Sequence, residues 1–246
     1  MPEDVKLDEP LFVELVAHID RFYELRDRLS ARQRKKLDER FALQRVYASR
    51  SHVDVIWHER PDFLLRPCLG SNQFGVEVRR LFDSGSSARL EEAQGYSEHL
   101  LSGGAVWHKE DVSGLSVVKI GIEDAYGNVI ASDEPAIMRP MPARAAWLEA
   151  VRNAITEKED VFPPQCDVSH INLILDDRIG ALATVESDDF YLHFFTDELR
   201  QTVFYSPFRE IFLITRLKSG RVFVPLRMML TTAQLFFFDA ALASMF

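Results

Sequence analysis

Only two cysteines, Cys68 and Cys166, occur in the 246 residues, which points away from a disulfide framework and from a cysteine-rich zinc cluster. Eleven glycines and eleven prolines are too few for a fibrous or disordered chain. Positive charge is also in short supply: 29 Lys and Arg stand against 38 Asp and Glu, a net charge of -9. Binding driven by phosphate neutralisation alone calls for the opposite balance. Clustered carboxylates around a metal are compatible with it. Long apolar runs are missing as well. The most apolar stretch, Met228 to Phe246, is broken by Thr231, Thr232, Gln234 and Asp239. It reads as a buried C-terminal helix, and no membrane span is expected. Met1-Pro2-Glu3-Asp4 is acidic and lacks the apolar core of a signal peptide, so a cytoplasmic location is the default expectation.

What is present is ordinary globular composition, 47% hydrophobic and 27% charged, with room for a substantial core. Leu11, Leu15, Ile19, Phe22, Leu25 and Leu29 recur at helical spacing. Ser30 with Gln33 has the form of a capping box and predicts a second helix running to about Ala48. This helix opens on Arg32, Arg34, Lys35 and Lys36, which is a solvated face or a phosphate-facing patch. Strand texture follows at Val53–Trp57, at Phe63–Leu65 and at Phe74–Phe82. In the last of these, Phe74, Val76, Val78 and Phe82 alternate with Gly75, Glu77, Arg79 and Leu81.

Beyond a polar loop at residues 83–87, Ala88 to Leu101 reads as a helix ended by Gly103-Gly104. Leu115 to Ile122 reads as a strand, with a turn at Gly127-Asn128. Pro140 and Pro142 precede a helix from about Ala143 to Lys158. Ile171 to Leu175 is the clearest buried strand, a helix is expected near Phe195 to Gln201, and Phe208–Leu217 with Arg221–Leu226 reads as a hairpin. Helices and strands alternate without a long linker or an internal repeat. That pattern predicts a single α/β domain over residues 1–246, with residues 1–50 forming a helical pair packed on it.

Several chemistries find no support. The seven histidines show no zinc-ligand spacing. Gly103-Gly104 lacks the lysine of a phosphate-binding loop, and no G-x-S-x-G elbow occurs. Asp176-Asp177, at a strand exit, is a polar exit or a functional acid.

The informative stretch is Glu59-Arg60-Pro61-Asp62-Phe63-Leu64-Leu65, followed after nine residues by Gly75-Val76-Glu77-Val78-Arg79-Arg80-Leu81. One carboxylate opens a strand and another lies inside the next. If the two strands pair, Asp62 and Glu77 converge, and converging carboxylates suit a hard cation such as Mg²⁺. Without further context, Pro-Asp is a common turn dipeptide, and Glu with Arg two residues on is a common surface ion pair.

Pro61-Asp62 and Glu77-Val78-Arg79 resemble the two halves of the PD-(D/E)XK motif. Over roughly Ser51 to Asp176 the chain is similar to uncharacterised bacterial nuclease-like proteins carrying E-x-PDF and GIEIT-x-L. The resemblance implies a restriction-endonuclease-like fold, a central mixed β-sheet flanked by helices. It implies Mg²⁺ (or Mn²⁺) held by Asp62, Glu77 and the backbone carbonyl of Val78, helped by Glu39 or by its rival Glu59, and hydrolysis of DNA. Arg79 stands where the superfamily usually has lysine, and arginine stays protonated at any accessible pH. The resemblance therefore leaves Lys158 or Lys109 to take the lysine's part, with Arg79 stabilising charge. Gln94 and Tyr96 resemble a substrate-binding glutamine–tyrosine element. The alternative is a catalytically inactive nuclease-like domain acting as a binding or regulatory protein, with a protein partner or a second copy engaged through the C-terminal apolar helix.

Overall fold

In the computed structural model of the chain, the described residues are 30–47, 52–67, 72–82, 84–93, 95–123, 129–140, 142–164, 166–186, 189–191 and 194–228. The amphipathic segment at Leu11–Leu29, the turn at Gly127-Asn128 and the apolar C-terminal segment lie outside them. The chain is a mixed α/β protein with a six-stranded mixed sheet. Where the sequence pattern suggests one domain, the fold groups into two compact units. Arg34–Leu81 and the chain from Ala143 onward form the first, and Phe82–Pro142 falls in the second.

Helix α1 (Ala31–Val46) carries the start of the first unit from Arg34 onward. Its capping box forms as the sequence predicts: the Ser30 N–H donates to Gln33 Oε1 at 2.9 Å and the Gln33 N–H to Ser30 Oγ at 3.3 Å. Strands β1 (His52–Trp57), β2 (Phe63–Pro67) and β3 (Phe74–Leu81) follow as an antiparallel meander. After the second unit comes helix α5 (Arg144–Glu157), which crosses to β6 (Ile171–Asp177), parallel to β3. Helix α6 (Asp197–Tyr205) leads to β7 (Ile211–Leu217), parallel to β6, and a hairpin returns as β8 (Gly220–Arg227). The strand order is β1-β2-β3-β6-β7-β8.

Both faces of this sheet are covered, which explains why β6 is apolar throughout most of its length. On one face Leu173, Leu175, Ile211 and Leu213 pack with Trp147, Val151 and Ile155 of α5. On the other, Val76, Val78, Ile174, Phe212 and Ile214 pack with Ala42, Leu43 and Val46 of α1. The period-two alternation of β3 is real, but the face carrying Glu77 is not open to water. Glu77 is only 3% exposed, because α5 and its core cover that side.

The second unit holds α2 (Gly85–Glu92), α3 (Tyr96–Leu101), the single turn α4 (Asp111–Gly114), and the antiparallel pair β4 (Ser116–Glu123) and β5 (Val129–Met138). The single helix expected over Ala88–Leu101 is two helices. Gly95 adopts a left-handed φ of 73° between them, which an α-helix cannot continue through. Residues 83–87 are not all loop, since Ser84 caps α2 by accepting the Ser87 N–H at 3.2 Å. Strand β5 carries no apolar alternation because most of its residues are exposed. Tyr96, Leu100 and Leu115 form a small core of their own.

Candidate active site at the edge of β3

The pairing of β2 with β3 begins at Phe63 opposite Val76. Residues of β3 beyond Val76 therefore lose their partner on that side, and Asp62, just before β2, takes its place. The Val78 N–H donates to Asp62 Oδ2 at 2.8 Å, and the Asp62 N–H donates to Glu77 Oε2 at 3.2 Å. The two carboxyl groups, 15 residues apart in sequence, are thus brought together where β2 leaves β3. Gly75 makes the approach possible. A Cβ at that position would lie 2.5 Å from Pro61 Cγ, so only glycine lets the turn carrying Pro61 and Asp62 lie against β3.

Lys158 completes the group. It follows the last residue of α5, and its Nζ forms an ion pair with Glu77 Oε1. Glu39 of α1 is 5% exposed and pairs with Lys35, one helical turn earlier, at 3.5 Å. Burial, and then the charge of Asp62, pushes the Glu39 carboxyl up to about 7. Burial and the same neighbour push Glu77 up to about 7 against the pull of Lys158, and burial raises Asp62. Three carboxyl groups that resist ionisation together are a place where added positive charge is favoured.

The remaining sequence candidates fall into three groups. Arg79 lies beside the site on the same strand face as Glu77, but it pairs with Glu157 at 2.8 Å and is half exposed. Glu59 is exposed and is not part of the buried carboxyl group. Tyr96 belongs to the second unit. There its buried hydroxyl donates to Asp111 Oδ2 at 2.6 Å and its ring stacks on Trp107 at 4.5 Å. Lys109 is an exposed residue of that unit, and Gln94 lies outside the described residues. Sequence reasoning named Lys35 only within the basic run of α1, and it missed Asp38 and Glu157. Asp38 pairs with Arg80 at 3.1 Å. The spacing of Lys35 and Glu39 by four was the available signal. The other two partners are remote in sequence and left none.

Among the described residues no three His, Cys, Asp or Glu side chains form a ready-made metal cluster, and no helix is long and apolar enough to cross a membrane. The donors do fit Mg²⁺ in kind. That ion is commonly bound through one or two carboxylates, keeping several waters and taking substrate oxygens. Comparison with known protein families, curated proteins and solved structures found no match.

Proposed function

We propose that the chain is a metal-dependent nuclease with a restriction-endonuclease-like sheet, hydrolysing DNA phosphodiesters at the β3 edge. The observation that carries this reading is the meeting of Asp62, Glu77 and Lys158 at the point where β2 leaves β3. The order of elements supports it: an antiparallel β2–β3 pair bearing the carboxylates, then a parallel β6 joined through a helix that ends at the lysine.

In this reading Asp62, Glu77 and the Val78 carbonyl hold Mg²⁺ or Mn²⁺, with Glu39 supporting from α1. A divalent cation there supplies a more acidic water and charge stabilisation at the phosphate. The chain's own groups do the rest. Lys158, whose Nζ is held at Glu77 Oε1, positions the attacking water. Arg79, a guanidinium on the same strand face as Glu77, steadies the phosphate oxygens. Lys158 thereby takes the part that the superfamily usually gives to the residue at Arg79.

Plasmid cleavage with Mg²⁺ or Mn²⁺, alongside calorimetric metal titration, tests the reading. Wild type should cut only with the cation, and Lys158→Met and Glu77→Gln should each lose at least about 100-fold in rate, the scale of a lost general base or charge-stabilising group. Gln is the informative replacement at Glu77 because the site is buried. Metal affinity should rise between about pH 6 and 8 as the carboxyls near 7 ionise. Metal binding unchanged in Glu77→Gln would reject the site. No binding and no cutting by wild type would leave the inactive, interaction-only domain as the better reading.

A further inference from the structure

A second charged group gathers at the carboxyl ends of the parallel strands β3, β6 and β7. Asp176, near the end of β6, is 1% exposed and forms ion pairs with Arg178, at 2.6 Å, and with Arg221 of β8. One carboxylate flanked by two guanidiniums is already over-neutralised. Two more arginines nevertheless join. Arg216 stands directly opposite Arg221 in the β7–β8 hairpin, and residues directly opposite in a strand pair share a face. Arg45, in the last turn of α1, lies within the field of Arg221, Arg178 and Asp176, and partial burial, followed by the charge of Arg221, lowers its pKa. The strand registers place Arg80, Asp176 and Ile214 side by side, so Arg80, Asp176, Arg216 and Arg221 all face the α1 side of the sheet.

The described residues placed here by register, ion pairing and charge are five arginines (Arg45, Arg80, Arg178, Arg216 and Arg221) and two aspartates, Asp38 and Asp176, on a chain whose net charge is -9. Arg178 and Arg221 already occupy both oxygens of the buried Asp176, and like charges repel, so the further arginines are not needed to hold it. Guanidinium forks match phosphate oxygens in pairs, and the carboxyl ends of parallel strands are where open α/β sheets take ligands. Arg80 follows Val78, whose N–H donates to Asp62 Oδ2, by two residues on β3, about 7 Å along the strand and on the same face.

We propose that Arg45, Arg178, Arg216 and Arg221 form a docking site for backbone phosphates of a nucleic acid, seating the polymer beside the carboxylate edge. The choice of a polymer over a small anion rests on the nuclease reading; the site itself does not.

The test is fluorescence anisotropy of a labelled duplex oligonucleotide in EDTA, so that no cutting occurs, over a series of salt concentrations. Arg45→Ala/Arg216→Ala, which leaves the two bonded partners of Asp176 in place, should bind at least about tenfold more weakly. Its slope of log affinity against log salt should be shallower by about two, since each phosphate no longer neutralised removes about 0.9. Arg45→Lys/Arg216→Lys should restore most of the slope, and Lys119→Ala in the second unit should leave it unchanged. Wild-type slope and affinity in the double alanine variant, with an unchanged far-ultraviolet spectrum, would overturn the site. Full displacement of the duplex by millimolar inorganic phosphate, with no dependence of affinity on oligonucleotide length, would overturn the polymer and leave a small-anion site. A protein that binds the duplex through these arginines but never cuts it with metal would sink the nuclease reading alone. One that cuts while the double variant binds normally would sink this proposal alone.

Discussion

At the residue scale, the chain keeps several titratable groups where water cannot freely solvate their charged forms. His170 is one. Its ring stacks on Phe74 at 5.1 Å, and burial together with the charge of Arg209 lowers it from 6.5 to about 4. The folded state therefore binds fewer protons than the unfolded state between about pH 6.5 and 4, and stability contributed by the neutral ring is lost as pH falls through that window. The buried Glu39 and Glu77 act in the opposite sense, because their folded pKa values lie above 4.5. For them stability is lost as pH rises from about 4.5 to about 7. Comparison of wild type with His170→Gln separates the two effects. Urea melts at about pH 7 and pH 4.5 should show wild type losing about 1–2 kcal/mol more than the variant on acidification, because the ring is partly open to water and solvent screens some of the effect. Equal losses would show that His170 does not contribute to acid sensitivity.

At the scale of elements, β6 is the strand on which both cores rest. Every one of its residues is buried, and Leu173 and Leu175 sit in the α5 core while Ile174 sits in the α1 core. Leu173→Ala should cost roughly 2–5 kcal/mol in denaturant melts, from lost burial and the cavity it leaves. A loss below about 1 kcal/mol would show that β6 is not central. The strand was legible in the sequence because a short, nearly all-apolar, β-branched run suits a strand covered on both sides. α1 and α5 were legible by their cap and flanking prolines. β5 was not, because a strand exposed along most of its length, with Asp133, Glu134 and Pro135 inside it, carries no hydrophobic period. The break at Gly95 was missed because an isolated glycine in a helical pattern does not reveal its φ.

At the scale of the whole molecule, two units with separate cores imply two unfolding events. The smaller is organised around Asp111, a buried carboxylate that accepts from Ser86 Oγ at 2.5 Å and from Tyr96 at 2.6 Å, and pairs with Arg89. Arg89 and these hydrogen bonds hold its pKa well below the usual carboxylate range. Asp111→Ala strands three polar partners at once. Differential scanning calorimetry should show one transition moved down by Asp111→Ala and a different one by Leu173→Ala. A single transition shifted by both would mean that the units unfold as one.

The sequence by itself determined the alternation of elements, the parity of β3 and the candidate pair Asp62 and Glu77, because these depend on local periodicity and on two short motifs. It also named Lys158 as a possible partner, though only beside Lys109. Tertiary structure decided the rest. It selected Lys158 as the ion-pair partner of Glu77, since the α5 crossover carries that amine from 81 residues away to the carboxylate. It buried Glu77, since whether the second face of a strand meets water depends on what packs there. It also drew Arg45, Arg178, Arg216 and Arg221 around Asp176, from a helix end, a strand exit and a hairpin that no sequence spacing connects.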